Sequence, residues 1–483
     1  MKHFSAHDVA TALDGELYGI PPEVLLTGGV VTDSREVGPG DVYVARRGEE
    51  LDGIDFAGAA VEAGAALVIG EALPTTEDGP LPTLLVEDAT EALGALARLN
   101  VEALRASGEI TVIAITGSAG KTTVKDLVAD LLTGQGGTVW PPNSYNNEVG
   151  VPLTALRADE TTRFLVLEMG ARNIGNLRYL TSFVRPDIAV ELNVGTAHSG
   201  VFGSIDNTQK AKTELVESLV PGGWAVLNSD DGRVAAMADS LAEGVNTLWF
   251  SPSGYAGDHA PVVRATDTEI TASGRTRFTL HLPEAEPAAV ELALLGEHHV
   301  SNALAAAAVA HLCGVPARSI ETVLATSGAA SRWRMELIDS PEGVTVLNDA
   351  YNANPDSMRA ALKTLAAMGA GDAENPPRRT VAVLGEMLEL GEESRQAHAD
   401  VGEQVVRLNI SRTVAVGEGA KPIFSAAELE GSWGNEAVWV PDIAAARDLL
   451  QAELRTGDIV LFKSSRDAGL RFLGDEIAGV AGA

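Results

Sequence analysis

Short apolar runs that each end abruptly in a polar residue recur along the chain and set its organisation. Residues 112–115 run into Thr116, 164–167 into Glu168, 188–192 into Asn193 and 225–227 into Asn228. Runs this short, rich in β-branched residues, read as strands buried on both faces. Between the first two the spacing becomes helical, with apolar residues at Val124, Leu127, Val128, Leu131 and Leu132. Strand–helix alternation of this kind predicts an α/β fold with a mainly parallel sheet. Ligands of open parallel sheets sit beyond the carboxyl ends of the strands. The polar residues that close the runs are therefore expected to converge on one site.

The pattern divides the chain into three domains. The first, 1–108, has short strands at 30–31, 41–45 and 66–69, an Ala/Gly-rich helix and the Ala/Leu helix 91–106, which leads to Ser107-Gly108. It reads as a small α/β domain. The second, 109–328, holds the runs above. It continues through 262–294, where apolar and polar residues alternate as in an antiparallel sheet, to an Ala-rich helix at 303–312. The third, 329–483, resumes strand–helix alternation with strands at 344–347, 381–384, 414–416 and 459–462, a second open α/β sheet of Rossmann-like kind.

The most informative turn follows the strand 112–115. It reads Thr116-Gly117-Ser118-Ala119-Gly120-Lys121-Thr122-Thr123 and opens a helix. Glycines let backbone N–H groups point inward, and the helix N-terminus adds positive potential, so the stretch predicts a phosphate cradle. Lys121 can reach the outer phosphates, and a following hydroxyl can hold Mg²⁺. The common pattern has a further glycine where Ile115 stands, so this is the shorter TGxxGKT[ST] form.

Glu168 and His198, behind neighbouring strand ends, are the natural Mg²⁺ candidates as oxygen and imidazole ligands. Lys210 and Lys212 lie on the polar helix that follows, and spacing alone does not separate a functional pair from a solvated one. Ser34 and Arg35 suit an anionic group, or equally a capped turn with a surface arginine. Two polar stretches are too turn-rich for regular structure: 141–152, with Asn146 and Asn147, and 348–355, with Asp349, Tyr351, Asn352 and Asn354. These five tyrosine and asparagine positions are taken as substrate contacts. Arg334, Asp349 and Lys463 are expected to serve a nucleotide held by the middle domain, which requires the third domain to close over it. The adjacent His298 and His299 point differently on a helix, make a poor metal pair and read as structural.

Composition narrows the partners. A formal net charge of −32 argues against nucleic acid or an anionic membrane surface, so an anionic substrate must be met by local basic groups and Mg²⁺. Cys313 is the sole cysteine, which excludes a disulfide framework or a cysteine metal site. No apolar leader or membrane-length run occurs, and a cytoplasmic, monomeric protein is expected.

These residues resemble the Mur ligases of peptidoglycan synthesis over essentially the whole chain. TGSAGKTT (116–123) and LGEHHVSNALAA (295–306) are shared by several members, and NDAYNANPDSM (348–358) is the more discriminating stretch. A DNPR-like motif, carried by the member that adds the third-position diamino acid, is absent. The resemblance implies ATP and Mg²⁺ as cofactors, with UDP-N-acetylmuramoyl-tripeptide and D-alanyl-D-alanine as substrates joined through an acyl phosphate. It implies ATP phosphates on Gly117, Ser118, Ala119, Gly120, Lys121, Thr122 and Thr123. Mg²⁺ would sit on Thr122, Glu168, His198 and a carbamylated Lys212, in the AKTEL stretch. It further implies adenine at Asn302, phosphate and ribose at Arg334 and Asp349, and the uridine end at Ser34 and Arg35. Two positions depart from the family. Trp333 replaces the glycine of a GR pair, which leaves Arg332 competing with Arg334, and Ser464 replaces the glycine of KGSR. A folate polyglutamyl ligase, a third-residue Mur ligase and an ATP-driven switch are the rival readings.

Overall fold

The computed structural model describes residues 1–48, 51–77, 79–108, 110–195, 204–255, 257–329, 332–373, 376–431, 434 and 436–480. Among these residues the strands form three principal sheets. The largest runs, edge to edge, through Gly137–Val139, Thr162–Glu168, Thr111–Thr116, Ile188–Glu191, Trp224–Asn228, Asn246–Ser251, Val262–Ile270, Arg275–His281 and Ala288–Leu295. Every neighbour pair as far as Val262–Ile270 is parallel, and the last two pairs are antiparallel. The antiparallel block expected over 262–294 is thus present, joined edge-on to the parallel sheet.

The parallel strands alternate between two cores. Val112 and Ala114 pack with Leu165, Leu167 and Ala189 on one face. Ile113 and Ile115 pack with Phe164, Val166 and Val190 on the other. Burial on both faces explains why these strands read as continuous apolar runs rather than as an alternation. The second face is covered by helices Lys121–Thr133 and His298–Leu312, whose small alanines let the helix lie close to the sheet.

The N-terminal sheet has the order Glu16–Tyr18, Thr83–Leu85, Leu67–Gly70, Val42–Ala45, Val30–Val31, antiparallel only at the first pair. Helix Ala89–Ser107 covers it, and its buried residues Leu93, Leu96 and Val101 belong to the same core as Val112 and Leu165. The C-terminal sheet runs Glu336–Asp339, Thr345–Asn348, Ile459–Lys463, Thr380–Leu384, Arg412–Val416, Ala437–Val440, again antiparallel only at its first edge. No described helix is long and apolar enough to cross a membrane.

Candidate active site

The cradle is built from the strand Thr111–Thr116, a four-residue turn and the helix that starts at Lys121. Gly120 has φ +87° in the left-handed region, and a Cβ there would lie 2.3 Å from Asn302 Oδ1, so only glycine fits. Asn193, at the end of the neighbouring strand, clamps the turn. Its Oδ1 accepts from Ala119 N–H at 2.9 Å, its amide donates to Ala119 O at 3.1 Å, and its carbonyl accepts from Ser118 N–H. The amides of Ser118 and Ala119 are therefore spent on the shape of the loop. Those from Gly120 to Thr123, at the helix N-terminus, remain for an anion. Lys121 arches back over the turn, its Nζ donating to Gly117 O at 2.8 Å. Burial pushes its pKa down; Glu168 opposes that, Arg334 adds to it, and Glu191 opposes it.

Glu168 is buried and accepts from three donors. Thr122 Oγ1 donates to Oε2 at 2.9 Å, and Ser144 Oγ and Asn146 Nδ2 donate to Oε1 at 2.6 and 2.9 Å. The irregular stretch around Asn146 thus has its reason: it carries donors to the strand-end carboxylate. The paired Thr122 hydroxyl and Glu168 carboxylate are hard oxygen donors of the kind Mg²⁺ takes, so these residues fit that ion. His198 lies outside the described residues.

Lys212 is buried on helix Ile205–Glu217 and lines the same cavity as Gly117, Ser118, Lys121 and Asn146, about 290 Å³ in volume. Its pKa is lowered to about 7, first by burial, then by Lys121, against an opposing pull from Glu191. Its neutral amine is thus accessible near neutrality, the form that adds CO₂. Glu191 was not singled out from the sequence. It is fully buried, neither carboxylate oxygen has a hydrogen-bond partner, and burial raises its pKa well above the ordinary value. A lone charge inside the run 188–192 was the signal for it.

The third domain reaches this site with Arg334. Its guanidinium stacks on Tyr351 at 4.3 Å, its Nε is buried without a partner, and it lines a cleft with Thr123, Asp126 and His299 of the middle domain. Arg332 is committed elsewhere, with Nη2 2.9 Å from Asp475. Of the two arginines, Arg334 is thus the one with a buried side-chain nitrogen left without a partner among the described residues. Trp333 adopts φ +61°, the conformation that a glycine takes freely. Its indole N–H donates to Asp475 at 2.9 Å, and Arg332 and Arg471 lie over its ring at 5.0 and 5.5 Å. At the other departure, Ser464 is fully buried and Gly385 faces it; a Cβ on Gly385 would come within 2.7 Å of Ser464 Cβ. The two residues follow the carboxyl ends of neighbouring parallel strands, and there the glycine is Gly385.

Several expected contacts take structural partners. Asp349 pairs with Lys463 at 2.5 Å and accepts from Met335 N–H at 3.0 Å. Asn354 caps helix Pro355–Ala370 in a capping box with Ser357, so its side-chain oxygen is used locally. Asn352 Oδ1 accepts from Ala353 N–H, and its carbonyl accepts from Lys463. Asn147 Oδ1 caps the turn before Gly150, which leaves its amide in the cavity. Arg35 folds onto Asp33, with its side chain 87 % exposed, while Ser34 begins the short 3₁₀ turn there. Asn302 is buried between Gly120 and His299, whose Nδ1 lies 3.1 Å from its amide. The rings of His298 and His299, at the very start of the helix, are tilted by 40° with centroids 4.0 Å apart.

A phosphate cradle at the carboxyl edge of a parallel sheet, with a second α/β domain presenting an arginine to it, defines an ATP-using enzyme of the three-domain ligase class. The chain belongs to the Mur ligase family. Residues 27–100 match the Mur ligase family catalytic domain, 115–310 the Mur ligase middle domain and 333–466 the Mur ligase glutamate ligase domain. UDP-N-acetylmuramoyl-tripeptide--D-alanyl-D-alanine ligase of Mycobacterium leprae is 44 % identical, over 98 % of this chain and 97 % of that protein. A crystal structure of MurF from Acinetobacter baumannii superposes with a TM-score of 0.86 at 30 % identity, covering 99 % of each chain. MurF ligase from Thermotoga maritima, in complex with ADP, superposes with a TM-score of 0.77 at 28 % identity, covering 94 % of this chain and 99 % of that one.

Proposed function

We propose that this chain joins D-alanyl-D-alanine to UDP-N-acetylmuramoyl-tripeptide at the expense of ATP, the last cytoplasmic peptide-adding step of peptidoglycan precursor synthesis. The observation that carries the reading is the meeting of Lys121, Lys212 and Asn146 on one cavity, with Asn146 bonded to Glu168 and Glu168 to Thr122 behind it. It stands in a chain that matches a ligase of that name along its whole length.

A carboxylate is a poor acyl donor, because its leaving group would be oxide. Transfer of the γ-phosphoryl group of ATP to the tripeptide carboxylate makes phosphate the leaving group. The amides of Gly120 to Thr123 and the Lys121 ammonium bind and orient the phosphates, neutralising charge that grows during transfer. Thr122 and Glu168, with His198 and a carbamylated Lys212, would hold Mg²⁺, which would supply further charge neutralisation. Arg334 approaches from the third domain, and closure of that domain excludes water that would hydrolyse the acyl phosphate. The dipeptide amine then attacks the acyl carbon, loses its proton, and phosphate departs.

In this reading Asn302 neighbours adenine, Arg334 and Asp349 serve phosphate and ribose, and Ser34 and Arg35 face the uridine end. Asn146, Asn147, Tyr351 and Asn352 border the peptide. The working domains are 1–108, 109–328 and 329–483, in a monomer. Phosphate release with defined UDP-muramoyl peptides and amines tests the reading. Release that needs both the tripeptide and D-alanyl-D-alanine is expected. Release indifferent to the amine, or greater with diaminopimelate or glutamate, overturns it.

A further inference from the structure

One turn after Lys121 the cradle helix carries a second lysine, Lys125, whose side chain is 0 % exposed. Nothing in the reaction proposed above uses it. A buried ammonium loses its hydration and persists only where its charge and its donors are met. Its Nζ lies 2.7 Å from Asp126 Oδ1 and donates to Pro141 O at 2.8 Å. Asp126, the next residue of the helix, balances the charge. The bond to Pro141 is the one that reaches beyond the helix.

That carbonyl opens the irregular stretch 141–152. Trp140 O, one residue before it, accepts from Arg157 Nη1 at 2.7 Å, so two successive carbonyls are held at the entry. Before the Asn147 cap the backbone of the stretch is bonded at Tyr145 N–H to Asn143 O and at Gly170 N–H to Asn146 O. The rings of Pro141 and Pro142 fix φ at both positions, so little of a displacement at Pro141 is taken up before Asn143. Ser144 and Asn146 then donate to Glu168 Oε1, while Thr122, three residues before Lys125, donates to Oε2. One helix thus grips the carboxylate twice, directly through Thr122 and by way of the stretch through Lys125.

We infer that Lys125 is a positioning residue of the ligase reaction. From inside the cradle helix it struts the stretch that begins at Pro141, so that Ser144 and Asn146 hold Glu168 where Thr122 also meets it. The part played by Glu168 rests on the function proposed above; the strut itself does not.

The test uses Lys125→Met, which keeps the length of the side chain and removes the donor, and two readouts. The first is amide hydrogen exchange in metal-free enzyme, followed by mass spectrometry over 143–152, with the strand 162–168 as control. Exchange over 143–152 is expected to quicken by about tenfold and the strand to stay as in the parent. The second is the Mg²⁺ concentration for half-maximal amide formation, expected to rise by about five- to tenfold, the scale of losses behind a ligand shell. Because Lys125 acts through Asn146, adding Lys125→Met to Asn146→Ala should raise that concentration little further. Pro142→Gly loosens the same link at an exposed residue and touches no buried charge. It should raise the Mg²⁺ requirement in the same direction.

Parent-like exchange in Lys125→Met overturns the inference. So does faster exchange with a parent-like Mg²⁺ titration, or a double variant in which the two penalties multiply in full, as they would for a lysine that only stabilises the fold. If Lys125→Met does not fold, Pro142→Gly decides, and a parent-like Mg²⁺ titration there overturns the inference. A parent that releases no phosphate with tripeptide and dipeptide defeats the proposed function instead. The exchange measurement needs no substrate and still decides whether Lys125 holds the stretch.

Discussion

Thr122 donates its hydroxyl to Glu168 across 2.9 Å, tying the first turn of the cradle helix to the end of the next strand. The sheet register brings this about. Ile115 and Glu168 are direct partners in the parallel ladder, so the carboxylate ends level with the start of the turn. A hydroxyl and a carboxylate at that distance can share one hard cation between them. Glu168→Gln should therefore raise the Mg²⁺ concentration needed for half-maximal rate by on the order of tenfold or more. A Mg²⁺ titration of amide formation identical to the parent's would remove Glu168 from the ligand set.

Lys121 makes a different demand. Among the described residues its Nζ donates one hydrogen bond, to a backbone carbonyl of its own loop, so its loss removes little that holds the fold. Lys121→Ala should keep the parent's circular dichroism and melting temperature. It should lose turnover by on the order of 10²–10³, the usual cost of removing a preorganised group that meets developing charge. A rate within a few-fold of the parent would contradict the role given to it.

The cradle and the strand ends were legible in the sequence because they are local. Gly117 to Thr123 is a contiguous motif, and Glu168 and Asn193 follow apolar runs whose length betrays a strand. What Asn193 does was not legible, since its partner, Ala119, is 74 residues away and the contact exists only once the two strands are neighbours. Glu191 was hidden inside a run read as apolar. Arg332 and Arg334 could not be ranked, because Asp475, which claims Arg332, lies in the last helix of the chain. Asn354, taken as a substrate contact, also caps a helix with its side-chain oxygen, and Asn-Pro-Asp-Ser carries the signs of that helix start, with proline just inside the cap. Asp349, Tyr351 and Asn352 sat in the same irregular stretch, and only the folded structure separates the cap from the residues around Lys463 and Arg334.

Trp333 offers a test of backbone strain. Its φ of +61° carries a penalty for any side chain, which the indole offsets through Asp475, Arg332 and Arg471. Trp333→Ala keeps the penalty and loses the anchors, whereas Trp333→Gly loses the anchors and the penalty together. Both variants should be less stable than the parent, with the glycine variant the more stable of the two by about 1 kcal/mol. Denaturant melts that place alanine at or above glycine would show that the left-handed conformation is not maintained in solution.

Lys212 links stability to pH in a direction that its burial dictates. In the unfolded chain its amine keeps a proton up to the ordinary 10.5, and in the fold only up to about 7. Between those values the unfolded chain binds more protons, so stability rises with pH across that window, and the penalty is complete below about 7. In CO₂-free buffer Lys212→Met, which removes the buried amine, should melt above the parent at pH 7, and the gain should shrink as pH rises toward 10. Catalysis should move the opposite way. The neutral amine adds CO₂ to give a carbamate and a released proton, exchanging a cation beside Mg²⁺ for an anion that can bind it. The variant should thus be nearly inactive and partly rescued by formate or acetate filling the vacated anion site. Parent enzyme stripped of CO₂ at low pH should regain activity when bicarbonate is returned above about pH 7. Full activity in Lys212→Met, or in stripped parent assayed without bicarbonate, would establish that Lys212 serves as an amine or not at all.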